Sequence, residues 1–236
     1  MNFRNLRAII LVLFWCVCCA NTGLCEDQNN QLKINHWTLS NSTDEQIRVD
    51  TAKELIVNPA PAARQILLEV LGSADNAAAT SSVCKAINSF RSTADFIPNR
   101  QDFILPLMNI LKGHNADTGK LAAQAALIFS FKEIKNYLDP IFQNPQLPDT
   151  TRKNAVYALQ IRPDKESVLQ LIDLLEVNDP LICTTAAEAL NEWMPIGTDK
   201  KEWRRIKAEI EKGKFDIVRE RVLTSQDRIR TLNENV

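Results

Sequence analysis

The sequence predicts an all-α fold: an α-solenoid of about five antiparallel helix pairs with a C-terminal capping helix. Three observations carry this reading. Apolar residues recur at helical spacing, with little of the alternation that marks strands. Alanine-rich segments return at a near-constant interval along the chain. Glycine is scarce, six in 236 residues where average usage gives roughly sixteen, which disfavours turn-rich β sandwiches and barrels. An apolar fraction of 45% with 24% charged residues is that of folded protein rather than a disordered chain.

The first 25 residues stand apart. Arg4 and Arg7 precede Ala8 to Ala20, AIILVLFWCVCCA, thirteen residues without a charge. Small residues follow at Ala20, Gly23 and Cys25. This is the layout of a cleaved secretory signal peptide, and cleavage after Ala20 or after Cys25 fits it. The apolar core is shorter than the about 20 residues that cross a bilayer. A membrane link therefore arises only if the signal stays uncleaved. Leu24 before Cys25 does not suit a lipoprotein site. The chain is expected in the periplasm or cell envelope, or secreted.

Removing both arginines leaves 26 basic against 29 acidic side chains, a net charge of −3. Four of six cysteines also leave, so Cys84 and Cys183 cannot form the framework of a small disulfide-rich domain. Residues 26–43 are polar and read as a flexible tether. Asn41-Ser42-Thr43 within them is a glycosylation sequon, meaningful in a eukaryotic secretory route.

Residues 44–213 carry the repeat. Ala123, Ala126 and Leu127 recur as Ala155, Ala158 and Leu159, and again as Ala186, Ala189 and Leu190. Weaker copies are Val83, Ala86 and Ile87, then Ala52, Leu55 and Ile56. Central positions 55, 86, 126, 158 and 189 are separated by 31, 40, 32 and 31 residues. A bulkier helix follows each: Leu67, Val70 and Leu71; Leu107, Ile110 and Leu111; Leu138, Ile141 and Phe142; Leu171, Leu174 and Leu175; Trp203 and Ile206. The long spacing marks residues 89–101 as an inserted loop. Small alanines let a helix approach its neighbours closely, and stacking covers the apolar face that one pair leaves open.

Helix punctuation agrees with this division. Gly72, Gly113 and Gly213 close second helices, where glycine can adopt a left-handed conformation. Asp117, Asp149 and Asp179 are expected as N-caps, and Ser42 with Glu45 as a capping box. Pro180 suits a first turn. Residues 214–236 read as a charged capping helix.

The block Asp149 to Gln160, DTTRKNAVYALQ, resembles the first helix of a HEAT repeat: Asp, Arg three on, then Ala and Ala-Leu. Residues 117–127 are similar with Lys120 in the basic position. Residues 179–190 are similar with one extra residue and Cys183 there. The period of about 31 residues resembles shorter HEAT-like repeats, including those of phycobilisome-lyase relatives. The likeness implies a protein-binding scaffold; a lyase-like chromophore handler is the lesser alternative.

Candidate chemistry is sparse. His36 and His114 lie 78 residues apart, with neither in a ligand-like pair. Cys84 and Cys183 fall three repeats apart, which predicts two free thiols. No phosphate loop or nucleophile elbow occurs, so no catalytic residue, metal or cofactor is expected. Residues 26–196 carry net −6 and residues 199–236 net +3, a distribution that argues against nucleic acid as partner. The polar positions of the second helices, Gln170, Asp173, Arg204, Lys207 and Glu211, are the expected protein-binding surface. The alternative is a structural subunit of an envelope complex, marked by an apolar patch on a terminal or convex surface.

Overall fold

The computed structural model describes residues 27, 29–73, 75–113, 115–162, 164–193 and 199–220. They form an all-α protein, with no strand among the described residues. The expected signal peptide, His114, Gly197 and most of the expected capping helix lie outside them.

Helix α1 spans residues 29–41. It is followed by α2 (Glu45–Val57), α3 (Pro61–Gly72), α4 (Ala77–Ser89) and α5 (Ile104–Lys112). Then come α6 (Ala116–Ala125), α7 (Phe131–Phe142), α8 (Asp149–Gln160), α9 (Lys165–Leu174), α10 (Pro180–Trp193) and α11 (Lys200–Glu211). Residues 215–220 begin a further helix.

The α1 helix corrects the expected tether. Its sequence is polar, yet Leu32 and Leu39 turn inward to the core. Asn35 is buried between them and accepts from Gln31 at 2.8 Å. The i, i+3, i+7 spacing of these three is a helix's inner stripe, concealed by the polar residues around it.

Packing is staggered. Helices α2, α4, α6, α8 and α10 each pack on the next of that series, and so do α3, α5, α7, α9 and α11. Each helix of the second series also meets the next of the first: α3 on α4, α5 on α6, α7 on α8 and α9 on α10. Alanine sets the approach in the first series, where Ala86, Ala123, Ala126, Ala155, Ala158 and Ala186 are all fully buried. Bulk fills the second, through Leu67, Leu107, Leu138, Leu171 and Trp203. In α5 Met108 joins Leu107 and Leu111 in the core, and the expected Ile110 is only half-buried.

Gly119 shows how tight the approach is. A Cβ there would stand 2.1 Å from Asn154 Nδ2 of α8. Only a residue without a side chain lets α6 and α8 meet at this register.

Several helix ends differ from expectation. The N-cap of α2 is Asp44, accepting from the Gln46 and Ile47 amides, and Ser42 binds the Asp44 amide instead. Asn115, not Asp117, caps α6, because its carboxamide reaches the Asp117 and Thr118 amides at 3.1 and 3.0 Å. Asp149 lies inside the first turn of α8 behind Pro148. Asp179 does cap α10, accepting from Leu181 and Ile182 at 3.1 and 3.2 Å. The capping box belongs to Ser130 and Glu133 of α7. Of the three expected glycine stops, only Gly213 takes a left-handed φ, at +83°.

The insertion folds as two short 3₁₀ turns, Arg91–Phe96 and Arg100–Phe103, with Asn99 between them at φ +47°. Its second half is pinned. Arg100 donates to the Ile128 carbonyl at 2.5 Å, and Arg64 pairs with Asp102 at 3.3 Å. Ile97 and Phe103 are buried, whereas Phe96 is 82% exposed.

Candidate functional site

The expected binding residues lie on α9 and α11; Asp173, Lys207 and Glu211 bind one another, while Gln170 and Arg204 bind Lys135 and Glu176. Lys207 of α11 donates to the Asp173 carboxylate of α9 and lies 3.8 Å from Glu211. Arg204 grips Glu176 with two nitrogens at 3.0 and 2.8 Å. Gln170 accepts from Lys135 of α7 at 3.2 Å, and Lys135 also lies 3.3 Å from Asp139. A ladder of polar contacts therefore crosses α7, α9 and α11.

Protonation follows these contacts. The Asp173 hydrogen bond holds Lys207 above its ordinary value, against partial desolvation. The hydrogen bond and charge of Arg204 lower Glu176, and the reverse effect raises Arg204. All three stay charged at neutral pH. The ladder residues are largely exposed, so solvent screening leaves such pairs little effect on stability. Two hollows open beside α9, of about 600 and 390 Å³, and share Gln170. Lys132, Lys135 and Glu166 edge the larger one, which lies between α7 and α9.

A different pair of residues ties the first-series helices. Arg152 of α8 is buried, pairs with Asp179 before α10, and lies 3.9 Å from Asp149. Desolvation works to raise Asp179, but the Ile182 amide and the Arg152 guanidinium outweigh it and lower the carboxyl. Arg162 is also buried; it donates to the carbonyls of Phe129, at 2.6 Å, and of Ala126. Burial pulls it down to about 10, so it keeps its charge at neutral pH. Both carbonyls lie where α6 ends in the 3₁₀ turn Ala126–Ile128, and that of Ala126 also accepts from the Phe129 amide at 3.1 Å.

Sequence reasoning missed a third feature. A groove of about 490 Å³ lies between α3 and α5, floored by Leu71 and edged by Leu105, Pro106, Asn109 and Ile110. Leu105 is 55% exposed. The one available signal is that α5, ILPLMNILK, has a single charged residue, at its last position.

Cys84 and Cys183 are free thiols. Cys84 is buried in α4, and desolvation pushes it up to about 12. Cys183 is half-buried and lies 3.4 Å from the Leu175 carbonyl. His36 is half-exposed on α1, and Asn41 is exposed at that helix's end. Among the described residues no three His, Cys, Asp or Glu side chains converge as metal ligands. No described helix is long and apolar enough to cross a membrane.

Compared with known proteins, the chain matches no family model and no curated relative.

Proposed function

We propose that the chain is an exported, non-enzymatic scaffold, a HEAT-like α-solenoid of five helix pairs whose second-helix face docks a partner protein. The staggered packing supports it: of the five pairs read from the period, α2/α3 and α8/α9 pack directly, and α3 on α4, α5 on α6, α7 on α8 and α9 on α10 join each pair to the next. Each row packs on itself, as stacked repeats require. The carrying observation is the ladder of Lys135, Gln170, Asp173, Lys207, Glu176 and Arg204 on one open face. These groups contribute little to stability yet present fixed, charged contacts between two hollows.

Co-purification of the tagged protein from the exported fraction of its native host tests this reading. A specific partner that is lost on Asp173→Lys or Lys207→Glu supports it. Clean, monodisperse protein with no partner at micromolar concentration counts against it. N-terminal sequencing of the same material tests export: the expected start is residue 21 or 26, and a start at Met1 refutes cleavage.

One observation favours the second reading, a structural subunit held in an envelope complex. On α1, the first described helix, Ile34 and Trp37 are 56% and 66% exposed. The outermost repeat of a stack needs a polar outer face, and these two residues break that rule. Size exclusion of native extract separates the readings: a stable large complex favours the subunit.

A further inference from the structure

We propose that the groove between α3 and α5 docks an uncharged, apolar peptide segment of a partner protein. This rests on the scaffold reading and names the chemistry that the partner presents. Its first support is electrostatic. None of the twelve described residues lining the groove is charged, whereas an average dozen from this chain would carry about three charges. A charged occupant would lose water there and gain no counter-ion.

The second support is the shape of the apolar surface. Leu107, Met108 and Leu111 of α5 are fully buried and already serve the core. Leu105 and Pro106 lie on the open side of the same helix, beside Ile110, which is half-buried against the core. Leu105 leaves more than half its surface in water at one end of the groove. A volume of about 490 Å³ lies within the range of built ligand sites, and Leu71 closes its floor.

The third support is the placement of polar groups. Asn109 stands exposed between Leu105 and Ile110, with Thr118 across the groove at the start of α6. An amide and a hydroxyl beside an apolar slot can satisfy the backbone of a bound segment while the slot takes its side chains. The ladder of α7, α9 and α11 has the opposite character, since its polar groups are tied into ion pairs. The two halves of this helix row therefore select different chemistry.

The test pans a phage library of random dodecapeptides on the full chain. Selected peptides are then titrated, fluorescently labelled, by anisotropy. The expected peptides carry Leu, Ile, Phe or Met anchors without adjacent charge. Their affinity falls at least tenfold on Leu105→Glu and severalfold on Asn109→Ala, and it is unchanged by Lys207→Ala. Leu105→Met retains binding. Leu105 is exposed, so Leu105→Glu is expected to fold, and an unchanged thermal melt verifies this. Charged peptides that bind Leu105→Glu equally well overturn the proposal. So does binding lost on Lys207→Ala, which removes the groove but keeps the scaffold reading. A chain dimer dissolved by Leu105→Glu would make a second copy the occupant and would also overturn it. If no peptide is selected, the groove proposal fails; if native co-purification also yields nothing, the scaffold reading fails with it.

Discussion

Replacing Gly119 by alanine sets two opposing quantities against each other. Gly119 lies within α6 and takes no left-handed φ. At an open helical position the exchange would stabilise by about 1 kcal/mol. Here the new methyl would stand 2.1 Å from Asn154 Nδ2 and 3.0 Å from its Cγ. Asn154 is 3% exposed, and its Nδ2 has no hydrogen-bond partner. The carboxamide is buried, so it can yield only by disturbing its neighbours. Such overpacking costs about 1–3 kcal/mol, so Gly119→Ala should destabilise by up to about 2 kcal/mol net. Asn154→Ala removes the obstacle and the unpaired amide together. In that background Gly119→Ala should recover its gain of about 1 kcal/mol. The cycle then shows a coupling of about 1–3 kcal/mol between positions 35 residues apart in sequence. Urea melts of the four proteins measure it through their midpoints, with slopes compared to verify two-state unfolding. Equal effects of Gly119→Ala in both backgrounds would refute the close-approach explanation.

Arg152→Ala should cost about 3 kcal/mol, because it strips Asp179 of its partner at a mostly buried site; a thermal shift below a degree would contradict this. Lys207→Ala and Asp173→Ala should each change stability by less than about 1 kcal/mol, read by urea midpoint, which leaves them usable as binding variants. Acid should weaken the fold. Glu133 and Asp179 are both lowered below their ordinary values of 4.5 and 3.8, in each case by hydrogen bonds and an arginine that outweigh desolvation. The stability they contribute is present above those values and is lost as pH falls through the lower folded ones. Thermal melts should therefore drop progressively below about pH 4.5 and stay flat from pH 5 to 7. In native protein Ellman's reagent should label Cys183 well before Cys84, whose thiol is buried and pushed up to about 12. Equal rates would place Cys84 at the surface.

The periodic part of the fold was legible because packing enforces it. Ala126, Ala158 and Ala189 recur where neighbouring helices must come close, and a residue of any larger size there would separate them. The division into first and second helices from 44 to 213 follows the same constraint. What escaped notice lacks that repetition. Helix α1 hides Leu32 and Leu39 among eleven polar or exposed neighbours, so composition concealed its spacing. The N-caps shifted because each helix begins two residues away from the expected start, so that Asn115 takes the Asp117 and Thr118 amides and Asp44 takes those of Gln46 and Ile47. Gln170, Asp173, Arg204, Lys207 and Glu211 are legible as polar positions of their helices, but their pairing with Lys135, Glu176 and one another depends on lateral distances that no single helix encodes. The uncharged groove was invisible because its walls come from α3, α4, α5 and α6 together, and its signal is an absence of charge.

The side-chain ties between helices share one property. Arg162 to Ala126, Arg152 to Asp179, Thr151 to Lys112 and Lys85 to Glu45 join positions 27 to 40 residues apart. Each spans about one repeat. A load applied to the two ends of the chain is then carried by a series of similar short links rather than by one long-range clasp. On the solenoid reading proposed above, such a chain yields a segment at a time from its weakest end and re-forms in the same order, and extension of one end leaves the grip of the other intact.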